Sequence, residues 1–502
     1  MDRYKCEKCG YIEDGSKIND NYICPICGAP RKEFKPLIIE NIIKDEIEAI
    51  VETVVQDASS DKKSKIINSN EEDKRVTISQ YNNAIMRINE KCINCGQCKK
   101  TCENIQNISY DLNVCKNPIC VGCGQCVLNC PTGALVPKYC YREVKNIINA
   151  NDKIVVALTS PGVRVSLGDN FELEMGENVE GRMVTALKKL GFDYVFDTAF
   201  GADLTVMEEV SELIARISNN GPLPLFTSCC PAWVKYAEVY HSNLLKNIST
   251  CKSPIGMQCA MIKSYFAQKK SIDPLKIITV AITPCTAKKI EAREYVENVD
   301  YVLTANELSL LLKEEDIKLD QLPNGNFDSV MGTSSGAGTI FGNTGGVTEA
   351  VVRTIYRIMT GTSPKGEELI LQNVRGMKDI KQATIDINGK KIKVAVVNGI
   401  NNLSQILEED KYKKFHFIEV MNCKGGCVGG GGQPLTPISK MEEIKLERQK
   451  SLYEIDKERT TRSAHDNPEI KTLYKEFLKT PLSETSLKYL HTSFSDKSEL
   501  LK

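Results

Sequence analysis

The feature that most constrains this chain is its cysteine content, 21 in 502 residues, with many in C-x-x-C pairs. A disulfide scaffold this rich in cysteine is usually much shorter and follows a secretory signal, and residues 1–6 contain no apolar signal-like run. Because the chain has only 4 histidines, any metals are expected to be held mainly by sulfur. The sequence therefore predicts thiolate-bound metals in a reducing, cytoplasmic setting.

Length and charge narrow the class of protein further. A chain of 502 residues predicts about three domains. Lys+Arg and Asp+Glu balance at 65 each, so no nucleic-acid partner is expected. The sequence has no stretch of about 18 apolar residues, which predicts no membrane span.

From about residue 145 the pattern is that of a multidomain α/β protein. Strand-like apolar runs at 154–158, 277–282 and 392–397 alternate with helical segments at 205–217 and 347–359. Such alternation predicts buried strands with helices between them. Ligands are expected in the loops at the strand ends.

The first group of cysteines comprises two knuckles, Cys6-x-x-Cys9 and Cys24-x-x-Cys27. Four thiolates from two knuckles can surround one tetrahedral metal, either a structural zinc or an iron. The flanking tyrosines and the run CPICG resemble rubredoxin. This resemblance, together with the other redox centres, favours a mononuclear Fe over Zn.

The second group is two consecutive runs of the form C-x2-C-x2-C-x3-C, the later one followed by Pro131. Bacterial ferredoxins bind two 4Fe–4S clusters with such runs, and the fourth Cys of each run ligates the other cluster. Paired zinc knuckles are the alternative, and Cys115 and Cys140 fall outside the pattern. The predicted ligand sets are Cys92, Cys95, Cys98 and Cys130 for one cluster, and Cys120, Cys123, Cys126 and Cys102 for the other.

The third group is dispersed through the α/β region, at 227–233 (TSCCPAW), 283–291 (TPCTAKKIE) and 419–434 (EVMNCKGGCVGGGGQP). Any single stretch could be a buried loop cysteine, and no Walker-type Lys-Ser/Thr follows the glycines. Together, in this order, the three stretches resemble the signature motifs of FeFe-hydrogenases. The resemblance covers about 92–495.

The resemblance implies an H-cluster, which is a 4Fe–4S cluster linked to a di-iron unit with CO, cyanide and a bridging dithiolate. Cys427 would bridge the two parts, and Lys288 would contact a cyanide ligand. The alternatives are an ordinary surface lysine for Lys288 and plain core residues for Phe341, Gly342 and Met421, and the match to the motifs favours the functional reading. The implied cluster ligands are Cys230, Cys285, Cys423 and Cys427, and the implied pocket residues are Pro161, Phe341, Gly342 and Met421.

The resemblance also implies a proton relay from solvent to the cluster. Glu209 and Glu212 are spaced i, i+3, which places them on one face of the predicted helix. Without the resemblance, two such glutamates would be read as a solvated acidic face. The implied relay residues are Cys229, Glu209, Ser249 and Glu212, with Arg216 at the outer end.

Four positions depart from the family pattern: Thr283, Ala287, Gly162 and Ile255. Groups around a metal cluster tune its potential and orient its ligands. Turnover rate, catalytic bias and oxygen tolerance therefore cannot be carried over from other members. An H2-sensing paralogue and an iron–sulfur assembly or electron-transfer protein remain as alternatives to the enzyme.

These inferences give five segments and a function. The catalytic domain is expected to form two lobes around the cluster and to interconvert 2 H+ + 2 e− and H2. Expected partners are a ferredoxin or rubredoxin-type electron carrier and hydrogenase maturation proteins. The segments are a rubredoxin-like domain at 1–35, a helix and charged linker at 36–82, a ferredoxin-like domain at 83–142, the H-cluster domain at 143–445 and a small-subunit-like helical tail at 446–502.

Overall fold

The computed structural model describes residues 3–6, 12–14, 22–23, 30–36, 73–111, 115 and 117–502. It contains two units, Met1–Glu71 and Glu72–Lys502. In the first unit three short strands form an antiparallel sheet in the order β2-β1-β3: β1 (Arg3–Cys6), β2 (Ile12–Asp14) and β3 (Phe34–Pro36).

Part of the predicted N-terminal organisation lies outside the described residues. This holds for Cys9, Cys24 and Cys27 and for most of the predicted helix and linker at 36–82. Residue 36, the predicted helix start, instead ends β3. Residues 73–82 are described, and they differ from a free linker because Val76 is buried and its N–H contacts Cys98 Sγ at 3.5 Å.

The second unit contains one small sheet and two sheets of four strands each. Its strands are β4 (Ile85–Arg87), β5 (Leu135–Pro137), β6 (Ile154–Thr159), β7 (Tyr194–Asp197), β8 (Leu225–Phe226), β9 (Ile277–Thr283), β10 (Tyr301–Thr304), β11 (Ile380–Ile387), β12 (Lys390–Asn398) and β13 (Phe417–Met421).

The first large sheet has the order β10-β9-β6-β7, and all its neighbouring strands run parallel. Along β6, Val155 and Ala157 pack in one apolar cluster, whereas Val156 and Leu158 pack in another on the opposite face. A sheet covered on both faces needs apolar residues at every position of its strands. The continuous apolar runs at 154–158 and 277–282 therefore predicted β6 and β9 correctly.

The second large sheet has the order β11-β12-β13-β8, in which only β11 and β12 are antiparallel. The predicted strand at 392–397 is the centre of β12. Val394 and Val396 face one cluster, and Ala395 and Val397 face another, so this sheet is also buried on both sides.

Helices connect and cover the sheets. The predicted helices at 205–217 and 347–359 lie within the longer helices α6 (Thr198–Ser218) and α13 (Gly346–Thr360). Among the described residues, no helix has the length and apolarity needed to cross a membrane. The α-helices are α1 (Gln97–Gln106), α2 (Gln125–Leu128), α3 (Tyr141–Ala150), α4 (Pro161–Arg164), α5 (Glu180–Leu190), α6 (Thr198–Ser218), α7 (Pro231–Tyr240), α8 (Pro254–Met261), α9 (Ala267–Lys270), α10 (Ala287–Glu294), α11 (Ala305–Glu314), α12 (Gly336–Thr339), α13 (Gly346–Thr360), α14 (Leu403–Leu407), α15 (Met441–Glu458), α16 (Pro468–Leu473) and α17 (Glu484–Leu490).

The two ferredoxin-type cysteine runs fold alike. Each run leads into a helix, α1 or α2, and the residue before each helix is a glycine with positive φ, 73° at Gly96 and 69° at Gly124. Glycine adopts this left-handed conformation without a side-chain penalty. The two runs therefore share a backbone conformation as well as a cysteine spacing. In the same segment β4 and β5 pair antiparallel.

Candidate functional site

The dispersed cysteines of the third group follow the carboxyl ends of three strands. Cys230 lies four residues after β8, Cys285 two residues after β9, and Cys423 two residues after β13. Cys427 follows in the same glycine-rich loop as Cys423. Loops at the carboxyl ends of strands are the usual ligand sites of α/β sheets, so the topology brings distant motifs together.

A cavity opens beside these cysteines. Nearly all its lining is apolar, and Lys288 supplies the charged group. Of the residues predicted for the pocket, every one lines this cavity: Pro161, Lys288, Phe341, Gly342 and Met421, together with Cys229 and the predicted ligands Cys230, Cys285 and Cys427.

The four predicted ligand thiols are close enough to perturb one another. Burial first, and then repulsion by neighbouring cysteines, raises the pKa of Cys285 to about 11 and that of Cys427 to about 12. The same causes raise the pKa of Cys423 well above its usual value, with Cys285 and Cys230 among its neighbours. Thiols crowded in this way ionise together only beside cations, so the donor set fits an iron–sulfur cluster.

Lys288 is held by an ion pair that the sequence analysis did not predict. Its Nζ donates to Glu291 Oε2 at 2.9 Å and to the Cys229 carbonyl at 3.1 Å. Ser253 Oγ donates to the same Glu291 oxygen at 3.0 Å. A buried cation needs such a partner, and the i, i+3 spacing of Lys288 and Glu291 within the second motif is the signal that could have indicated this pair.

The inner part of the predicted relay is Cys229 and Glu209, of which Cys229 lines the cavity. Glu209 on α6 is fully buried, and neither carboxyl oxygen has a hydrogen-bond partner within the described part of the chain. Burial, followed by repulsion from Glu212, raises the pKa of Glu209 to about 8. Burial and the proximity of Glu209 raise the pKa of the Cys229 thiol well above its usual value.

The outer part of the relay is a continuous hydrogen-bonded chain. Ser249 Oγ donates to Glu212 Oε2 at 2.9 Å, and Arg216 Nη2 donates to Glu212 Oε1 at 2.6 Å. Arg216 also donates to backbone carbonyls, including that of Ile248 at 2.9 Å. Of the five residues predicted for the relay, Ser249, Glu212 and Arg216 are thus linked directly by hydrogen bonds.

The ferredoxin-like segment contacts the site directly. The side-chain amide of Gln125 on α2 donates to Cys423 Sγ at 3.3 Å and to the Gly429 carbonyl at 2.9 Å. Thr286 Oγ1 donates to the Gly122 carbonyl at 2.7 Å. Gln125 and Thr286 were not predicted, because no local pattern reveals a contact across about 300 residues of chain.

A second, smaller cavity lies within the ferredoxin-like segment. The cysteines that line it are Cys102, Cys120, Cys123 and Cys126, the same four that were predicted to share one cluster. Tyr110 donates its hydroxyl hydrogen to Cys102 Sγ at 3.7 Å. In the other predicted set, Cys98 and Cys130 both pack against the apolar cluster that contains Ile85.

Of the four departures from the family pattern, three line the large cavity: Gly162, Ile255 and Thr283. Ala287 is buried at the start of α10. In the N-terminal unit Cys6 ends β1, and the other three knuckle cysteines lie outside the described residues. Cys140 Sγ contacts the Val302 carbonyl at 3.2 Å.

Comparisons with family models give three matches. Residues 153–431 match the C-terminal domain of the iron-only hydrogenase large subunit, residues 442–497 match the iron hydrogenase small subunit, and residues 4–35 match the rubredoxin-like domain of rubrerythrin.

Curated relatives include iron hydrogenase 1 of Clostridium pasteurianum, which is 39% identical over 72% of this chain and 65% of its own length. The HndD subunit of the NADP-reducing hydrogenase of Solidesulfovibrio fructosivorans is 39% identical over 83% of this chain and 75% of its own. This chain thus spans about two thirds to three quarters of these relatives.

Two further relatives differ in named location or role. The large subunit of the periplasmic iron hydrogenase of Nitratidesulfovibrio vulgaris is 46% identical over 56% of this chain and 69% of its own length. Cytosolic iron-sulfur assembly component 3 of Mus musculus is 31% identical over 73% of this chain and 81% of its own. Because one relative is periplasmic by name, the cytoplasmic location stays a prediction.

Solved structures agree with the sequence comparisons. An FeFe-hydrogenase structure that concerns H-cluster assembly matches with a TM-score of 0.62 and 36% identity, covering 71% of this chain and 99% of its own. A variant of the apo FeFe-hydrogenase HydA1 of Chlamydomonas reinhardtii matches with the same TM-score, identity and coverage.

Proposed function

The chain belongs to the iron-only hydrogenase family, and we propose that it interconverts 2 H+ + 2 e− and H2. The observation that carries the proposal is the cavity in which three of the four predicted ligand cysteines, Cys229 and Lys288 meet. An apolar cavity with one buried cation and a cluster of thiols suits a bulky cofactor that has anionic diatomic ligands.

In this proposal Cys230, Cys285, Cys423 and Cys427 would hold the H-cluster, with Cys427 in the bridging role that the family resemblance implies. When bound, the cofactor supplies the redox chemistry at which H2 forms or splits. Pro161, Phe341, Gly342 and Met421 shape the cavity around it. Gly342 allows close packing, because a Cβ there would lie 2.6 Å from Leu452 Cδ1.

Protons are proposed to pass between solvent and Cys229 through Glu209, Ser249 and Glu212. Transfer requires neighbours within hydrogen-bond reach and groups that can both accept and release a proton. The 2.9 Å contact between Ser249 and Glu212 supports the outer step. The raised pKa of Glu209, about 8, supports the inner step, because both forms are then accessible near neutral pH.

Electrons are proposed to enter through two 4Fe–4S clusters in the ferredoxin-like segment, delivered by a ferredoxin or rubredoxin-type carrier. The cavity lined by four cysteines supports one cluster, and the Gln125 contact supports coupling to Cys423. The rubredoxin-like match at residues 4–35 supports a mononuclear iron. Maturation proteins are proposed to install the di-iron unit.

The test is H2 evolution from reduced viologen by protein whose di-iron loading has been confirmed by infrared bands of CO and cyanide. We expect brisk turnover, and near-complete loss in loaded Cys229→Ala. The control is Cys115→Ala, a half-buried cysteine outside both predicted cluster sets. Normal turnover in Cys229→Ala would contradict the proposed proton relay. A fully loaded wild-type protein without turnover would contradict the proposed enzymatic activity.

Two other functions have an observation in their favour. The assembly-component relatives favour an iron–sulfur assembly role. Infrared bands from bound CO and cyanide would exclude this role. The substitutions Gly162, Ile255 and Thr283 in the cavity wall favour an H2 sensor. Full loading with slow turnover would support the sensor instead of the enzyme.

A further inference from the structure

Three potential metal ligands meet at the outer end of the relay. Glu212, Cys251 and His491 each offer one donor atom, and these three atoms lie within 4.8 Å of one another. The backbone fixes the two segments, since Cys251 and His491 form an antiparallel bridge. The Thr492 N–H also donates to the Thr250 carbonyl at 2.8 Å.

The ring of His491 is oriented by a buried carboxylate. Its Nε2 lies 3.1 Å from Glu208 Oε2, and Glu208 also accepts from the Tyr474 hydroxyl at 2.6 Å. Because the carboxylate oxygens accept in these contacts, the hydrogen-bond pattern assigns the ring proton to Nε2. Nδ1 then presents its lone pair toward Thr250 Oγ1, 2.7 Å away. Histidines that bind metals are typically held by a carboxylate in this way.

We propose that Glu212, Cys251 and His491 form a binding site for a divalent cation of the Zn²⁺ class, and that its occupation blocks the relay. The second part rests on the proposed function. Thiolate, imidazole and carboxylate are the donors that zinc prefers, at about 2.0–2.3 Å. Cys251 Sγ and Glu212 Oε2 are 4.0 Å apart, so small side-chain movements bring them to a common ion.

The site is reachable and its charge is suitable. Thr250 is exposed and contacts both Glu212 and His491, so an ion can enter beside it. Arg216 pairs with Oε1 of Glu212, while Oε2 accepts from Ser249 and the Thr250 N–H and faces Cys251. Once the Cys251 thiol releases its proton, the thiolate and the carboxylates of Glu212 and Glu208 together balance the charge of Arg216 and of a divalent ion.

Occupation would interrupt proton transfer at a defined atom. Oε2 of Glu212 accepts the hydrogen bond of Ser249. A cation on that oxygen takes the lone pair and lowers its basicity, so the carboxylate no longer exchanges a proton with the hydroxyl. The electron route through the cysteine clusters is not touched.

The experiment uses the full-length, cluster-loaded protein and Co²⁺ as a spectroscopic substitute for Zn²⁺. Binding is measured by equilibrium dialysis and by the thiolate-to-cobalt absorption band, and H2 evolution is measured during a Zn²⁺ titration. The variants are His491→Gln and Cys251→Ser. The matched control is His416→Gln, since His416 lies outside the cluster and accepts from the Lys393 N–H. Each variant is compared with its own metal-free rate.

We expect wild type and His416→Gln to bind one more Co²⁺ than the other two variants. The half-inhibiting Zn²⁺ concentration should rise about tenfold or more in His491→Gln. Equal Co²⁺ stoichiometry in all four proteins would overturn the site. If wild type binds the extra Co²⁺ but Zn²⁺ does not inhibit H2 evolution, the proposal that occupation blocks the relay is overturned. Loaded protein without H2 turnover would refute the proposed function, while the Co²⁺ count would still decide the site.

Discussion

Glu209→Gln is the substitution that best separates a proton carrier from a structural residue. The two side chains have the same shape, but glutamine cannot exchange a proton. Removal of a positioned acid–base group typically costs about 10²–10⁴-fold in rate. We therefore expect H2 evolution to fall at least about 100-fold in loaded Glu209→Gln. Exposed Glu458→Gln, at the end of α15, is the control.

The environment of Glu209 sets the size and the pH dependence of the effect. Raising its pKa from 4.5 to about 8 favours the neutral acid over the carboxylate by about 5 kcal/mol. The unfolded chain releases this proton near pH 4.5 and the folded chain near pH 8, so the unfolded state binds fewer protons in between. The contribution of Glu209 to the free energy of unfolding is therefore greatest below pH 4.5 and declines as the pH rises to 8. Glu209→Gln has no such proton, so its stability relative to wild type should increase over that range.

The assay is infrared spectroscopy of the loaded enzyme between pH 5 and pH 10, in parallel with H2 evolution. Wild type should show the carbonyl stretch of a buried carboxylic acid that disappears with a midpoint near pH 8, and Glu209→Gln should lack it. A wild-type spectrum without this band at pH 6, or a Glu209→Gln enzyme with normal turnover, would refute the reasoning.

Three further substitutions test the site. Lys288→Met removes the buried ammonium in the cavity wall. We expect this variant to be folded by circular dichroism but to lack the infrared bands of CO and cyanide. Normal bands would contradict a role of the cation in binding the cofactor. Gln125→Leu removes the N–H donor to Cys423 Sγ. The midpoint potential of the cluster attached to Cys423, measured by redox titration with EPR, should then fall by about 50 mV. An unchanged potential would contradict a role of this hydrogen bond in setting it. Gly431→Ala places a Cβ 2.3 Å from the Cys123 carbonyl oxygen. We therefore expect a lower midpoint of thermal unfolding and a loss of about 1–3 kcal/mol in the free energy of unfolding. An unchanged midpoint would contradict this prediction and would mean that the two loops separate freely.

The sequence predicted the elements whose signal is local. The strands β6, β9 and β12 are continuous apolar runs, which both-face burial requires. The hairpin between β11 and β12 was predictable but missed: Asn388 and Gly389 have φ of 51° and 78°, as expected for an Asn-Gly turn. By contrast, the pairing of β8 with β13 joins segments far apart in the chain, and no local pattern encodes it.

The same distinction applies to the site. The cysteines and Lys288 were predicted from recognisable motifs, and the relay residues from the resemblance to the family. Glu291 has a local signal in its i, i+3 spacing from Lys288, whereas Ser253 and Gln125 are positioned only by the fold.

The position of the site follows from the way the sheets end. Parallel strands of one sheet end at the same edge. β8 and β13 in one sheet, and β9 in the other, each lead into a loop with a predicted ligand. The loops must then approach one another closely, which is why Gly430 lies where a Cβ would be 2.3 Å from the Pro284 carbonyl oxygen. A larger residue there would separate two ligand loops. The glycine-rich run is therefore required by the convergence of the ligand loops, and the cysteine spacing alone did not reveal that requirement.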